Sequence, residues 1–210
     1  PPREVLAACA RALHRVLEAF ALPVREVDVL GPVVILLFER EDEARGNPVY
    51  GSSYGHAVAR AAPDGTLWLL LATSDEGFLA EDLVHAVAHV VVGDRFGELP
   101  PWAREGAAAY ASPARLRARW RAGGDPRAFD LETLFARGEG WGESRRARRL
   151  LRAEATAGFE VLAERLGLRG ALKLARRLNG PSGKPALREA GIEPAEFARA
   201  VRARLGSSGG

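Results

Sequence analysis

From Leu83 to Val92 every position is apolar except His85 and His89. Leu79, Leu83, Val84, Val87 and Val91 recur at helical spacing, which predicts a helix rather than a strand. Thr73-x-x-Glu76 resembles a capping box that opens it, and Gly93 is expected to close it in a C-cap role. On such a helix two histidines four apart lie on one face, one turn apart, where both rings can grip a single ion. Imidazole nitrogens suit zinc at about 2.0–2.1 Å. Two ligands are too few, because a catalytic zinc takes three protein ligands and an open position.

The flanking segments set the expected fold. Val5, Leu6, Cys9, Leu13, Val16, Leu17 and Phe20 predict an amphipathic helix over 3–22, stopped by Pro23. Residues 24–30 alternate and read as a strand or an extended lead-in, Val33–Phe38 as a buried strand and 39–55 as a loop. His56–Ala62 and Thr66–Leu71 flank Pro63-Asp64-Gly65, a turn signal that predicts a β-hairpin. After Pro100-Pro101 the reading is helical: 101–111, short pieces at 114–121 and 130–136, a long helix over 143–166, then 169–178, 184–190 and 194–204. The expected class is α+β: an N-terminal helix, a small mostly antiparallel sheet, zinc-binding helices and a C-terminal helical subdomain. The expected division is a core over 1–112, a helical subdomain over 113–205 and a flexible tail over 206–210.

Bulk composition narrows the function classes. A chain of 210 residues suffices for one sizeable domain, or a core with a small appendage. The formal net charge of +3 is mild for this length, so no nucleic-acid partner is expected. Arg145, Arg146, Arg148, Arg149 and Arg152 form the densest basic cluster, which reads as a solvated helix face rather than the alternative, a nucleic-acid or anion site, because no aromatic residues interleave it. Cys9 is the single cysteine, which excludes an intrachain disulfide and a cysteine zinc staple. No apolar run approaches the roughly 18–20 residues of a membrane span, and no signal-peptide layout is visible. Methionine is absent and alanine and arginine abound, a composition shared by high-GC bacterial genes and computational redesigns.

Pro101-Trp102-Ala103-Arg104-Glu105-Gly106-Ala107-Ala108-Ala109-Tyr110 follows the histidine pair. It resembles the Trp-x-x-Glu-Gly-x-Ala-x-Tyr segment that follows His-Glu-x-x-His in gluzincin-type zinc metallopeptidases, including the compact bacterial ones. The flanks Leu83-Val84-His85 and Gly93-Asp94-Arg95-Phe96 agree, and Phe159–Gly167 resembles the helix that packs behind the site. The likeness is good over 66–112, looser over 143–205 and weak before residue 30. It implies that Glu105 is the third ligand beside His85 and His89, that the cofactor is zinc, and that the parent activity hydrolyses peptide bonds through zinc-activated water. A metzincin reading fails because Val92 stands where that class has glycine. Asp94 is a rival ligand, expected just past the helix end as a solvated cap.

Three departures accompany the resemblance. Ala86 occupies the place of the catalytic glutamate, so the general base is missing and turnover is expected to be slight or nil. Ala109 replaces an acidic residue that would orient a ligand histidine. Arg152 stands where relatives often carry a tyrosine. An engineered knockout, a redesigned scaffold and a natural pseudoenzyme all accommodate Ala86. Candidate oxyanion donors are Tyr110, Tyr54, His56 and Arg152, with Tyr110 more readily placed in the core. His14 reads as exposed. The expected partner is a peptide or protein substrate, held by strand addition at 66–71, with no membrane partner. The alternative is a non-catalytic binding or scaffold module with a peptidase-like fold.

Overall fold

A computed structural model of the chain describes residues 2–23, 33–37, 57–61, 67–71, 76–136 and 145–206. The chain divides into two compact units, Pro1–Arg95 and Phe96–Gly210.

The α+β expectation is corrected. Helix dominates the described residues, and the strands are three segments of five residues each. Alanine, leucine and arginine are strong helix formers and fill the chain after residue 76, whereas the extended signals occupy only the stretch before it. The sheet is also not mostly antiparallel. Strand β3 (Leu67–Leu71) pairs antiparallel with β2 (Ala57–Ala61) and parallel with β1 (Val33–Leu37). The order β1-β3-β2 makes β3 the central strand. Strand addition at 66–71 is therefore corrected too, because the main chain of β3 is engaged on both sides over its full length. The 24–30 lead-in, the 39–55 loop, the turn at Pro63-Asp64-Gly65 and Thr73 lie outside the described residues.

In the first unit α1 (Pro2–Ala19) buries Val5, Ala8, Ala12 and Val16 along one stripe and leaves Leu6 exposed, and Phe20 is buried just past its end. Its end comes before Pro23. Leu22 N–H reaches back to Leu17 C=O at 2.9 Å and Ala21 N–H to Glu18 C=O at 3.0 Å. This closure puts Ala21 at φ 50°, a left-handed conformation that glycine normally takes. The Cβ there costs about 1–2 kcal/mol, while glycine's extra freedom in the unfolded chain takes back about 0.5–1 kcal/mol. Ala21→Gly is expected to stabilise the protein by about 0.5–1 kcal/mol. The check is a raised urea midpoint with an unchanged slope; a lower midpoint would refute the strain at Ala21.

Helix α2 (Glu76–Phe96) runs past Gly93, contrary to the expected C-cap there. The left-handed residue is Gly97, at φ 64°, which is where the helix closes. Leu83, Val84, Ala86, Val87, Ala88, Val91 and Val92 are all buried. Their spread around the helix gives its middle a wide apolar surface, with His89 and Val90 half-buried and Gly93 exposed.

Among its described residues the second unit has helices and no strand. Helix α3 (Pro101–Ala111) starts where Pro100 and Pro101 pre-set φ, and α4 (Ala114–Arg121) follows Pro113 in the same way. Asp130 caps α5 (Leu131–Ala136), accepting from the Thr133 N–H and hydroxyl at 2.7 Å each. The Thr133 side-chain and backbone hydrogen bonds hold the Asp130 carboxyl below its ordinary range. Helix α6 (Arg145–Ala175) bends at Gly167, with φ 66° and ψ 166°, so the two expected helices meet at a kink. A 3-10 turn (Gly180–Ser182), α7 (Gly183–Glu189) and α8 (Pro194–Gly206) complete the unit.

Helix α3 was expected with the first part of the chain but packs on α6 in the second unit. Gly106 makes the approach possible, because a Cβ there would sit 2.5 Å from Ala155 C=O and 2.7 Å from the Phe159 Cβ. Trp102 fixes the other end, donating its indole N–H to Leu178 C=O at 2.9 Å while its ring lies 5.5 Å from that of Phe135.

Candidate metal centre

Four residues of α-helix turn through about 400°, so His85 and His89 differ by only about 40° around α2. Their rings meet edge to face, with centroids 4.7 Å apart, and the two Nε2 atoms lie 3.1 Å from each other. His85 is buried and His89 half-buried. Two nitrogens bonded at about 2.0–2.1 Å to one tetrahedral ion stand about 3.3 Å apart, so the pair is close to the spacing zinc requires. The same distance suits one neutral ring donating to the other. Ala86, the next residue after His85, is buried. Asp94 lies inside α2 rather than past its end.

Glu105 belongs to the second unit and is half-buried on α3. Arg152 of α6 donates from Nε to its Oε1 at 2.6 Å, and the Arg152 guanidinium lies 5.2 Å from the Trp120 ring centre. An ion pair this short fixes the carboxylate's orientation, with one oxygen turned to the arginine. Arg152 was expected as an oxyanion donor and is instead Glu105's partner.

Tyr110 is held by the core of the second unit. Its ring packs edge to face on Phe159 at 5.9 Å and beneath Arg117 at 5.7 Å. Ala109 is fully buried and carries no polar group. Tyr54 and His56 lie outside the described residues. His14 is exposed and pairs with Glu18 at 3.2 Å on α1.

A cluster of arginines not expected from the sequence surrounds one buried carboxylate. Glu160 accepts from Arg117 Nε at 2.8 Å, from Arg121 Nη1 at 2.8–2.9 Å and from Arg204 Nη1 at 3.4 Å. Arg117 Nη1 also donates to the Tyr110 and Ser112 carbonyls at the end of α3. A local signal existed: Glu160 lies inside the apolar run Ala157–Leu162, and a buried carboxylate needs cationic partners. Arg117 and Arg121, four apart on α4, are such a pair.

No protein-family model, curated protein or solved structure matches the chain. No described helix is long and apolar enough to cross a membrane.

Proposed function

We propose that the chain is a zinc-binding domain of peptidase type, with His85, His89 and Glu105 as ligands to one ion. Each offers one ligand atom of a kind that zinc takes. The observation that carries the reading is the convergence of the two histidine Nε2 atoms at 3.1 Å on α2. The Trp102–Tyr110 segment supports Glu105 as the third member. Zinc, when bound, supplies Lewis-acid polarisation of water and of a substrate carbonyl.

The protein's own residues then divide the work. His85 and His89 hold the ion, and Arg152 orients the Glu105 carboxylate. The position that would move the proton is Ala86, which carries no acid or base. The domain therefore binds metal and turns over little. A scaffold reading with no metal draws on Ala86 and Ala109 together, since both polar positions of a working site are methyl groups.

Metal content separates the two. After exposure to zinc and dialysis, the protein is expected to retain about one equivalent, and His89→Ala to bind at least about 100-fold more weakly. Calorimetric titration and elemental analysis are the measurements. Retention of zinc by His89→Ala, or none in the unaltered chain, would defeat the metal-site reading.

A further inference from the structure

The whole-chain charge of +3 conceals a division. In Pro1–Arg95 acidic residues outnumber basic ones 14 to 8, and in Phe96–Gly210 basic residues outnumber acidic ones 22 to 13. The units therefore carry formal charges of −6 and +9. The mild overall balance is no guide to what the second unit binds.

The excess is concentrated where α4 packs on the start of α6. Alternate arginines of α4 divide between two faces. Arg117 and Arg121 turn inward to Glu160, while Arg115 and Arg119 are exposed. On α6 Arg146 and Arg149 are exposed. Arg149 lies across Gly123, just past α4, and leaves no room there for a Cβ. Arg152 lies over Trp120. These contacts tie Arg149 and Arg152 of α6 to the end of α4.

We infer that the exposed arginines of α4 and α6 bind the phosphate backbone of a nucleic acid without sequence preference. The exposed cations named here are all arginine, whose planar fork matches phosphate with two hydrogen bonds. A membrane surface would need apolar groups to insert, and the described residues expose one large hydrophobic side chain, Leu6, in the other unit. An acidic peptide added as a strand would need a sheet edge, and one docked as a helix an apolar groove; the described part of this unit has no strand. A phosphate backbone needs only the charge.

The test is fluorescence anisotropy of the full chain with a roughly 20-nucleotide oligothymidylate, from about 50 to 200 mM salt. Binding is expected to weaken linearly with log salt. Arg146→Gln/Arg149→Gln is expected to lower affinity about tenfold and flatten the salt slope by about 1.4. Arg11→Gln/Arg15→Gln removes the same charge from exposed positions of α1 and is expected to change affinity less than about twofold. Circular dichroism confirms that each variant is folded. Absence of oligonucleotide binding at about 50 mM salt overturns the inference. So does equal loss in the two variants, or tighter binding to polyglutamate or to phosphatidylserine vesicles than to the oligonucleotide.

Discussion

Ala86→Glu is expected to raise zinc-dependent peptide cleavage by about 10²–10⁴-fold, the usual worth of general acid–base help. Ala86 adjoins a proposed ligand and is buried. A carboxylate there would take a proton from the attacking water and pass it to the leaving nitrogen. Burial pushes a carboxyl group upward toward neutrality, which suits a base that must also act as an acid. Ala86→Gln supplies the same shape without a transferable proton and is expected to remain at the level of the unaltered chain. Cleavage of a quenched fluorescent peptide, with and without chelator, is the measurement. Chelator-sensitive turnover already present in the unaltered chain, and no faster in Ala86→Glu, would sink the reading.

Glu160→Ala is expected to destabilise the protein by about 3–5 kcal/mol, because it strands partly buried arginines around an empty position. Their side chains are 18–28% exposed, against 6% for Glu160. That residual water contact places the loss toward the lower end of the range. Even so, the melting temperature should fall by about 6–12 °C. Glu160→Gln keeps hydrogen-bond acceptance and loses the charge, so it should fall between the two. Differential scanning calorimetry at low and high salt is the check. A loss below about 1 kcal/mol in Glu160→Ala would mean that the arginines find other partners or water.

What was legible followed the range of the interaction that decides it. The starts of α3 and α4 were read correctly because prolines act on their immediate neighbours. The pairing of His85 with His89 was likewise visible, since four residues of helix bring them together by local geometry. The end of α2 was misplaced because glycine alone does not stop a helix; the left-handed turn falls at Gly97, not Gly93. The centrality of β3 was hidden because strand order depends on the partner at Val33–Leu37, about 30 residues earlier. Arg152 and Glu105 stand 47 residues apart, and their pairing comes from the packing of α3 on α6. Helix outweighs the early strand signals because helix-favouring alanine, leucine and arginine fill most of the chain after residue 76.

The guanidinium of Arg117 joins three elements at once: the last carbonyls of α3, its own helix α4, and Glu160 on α6. Helix ends ordinarily fray, opening and closing with little free energy. Here the final turn of α3 opens only by giving up hydrogen bonds to a group that also neutralises a buried acid. Local fraying and breakage of the cluster thereby become one cooperative event. The helix that carries Glu105 is thus held to the slow openings of the core.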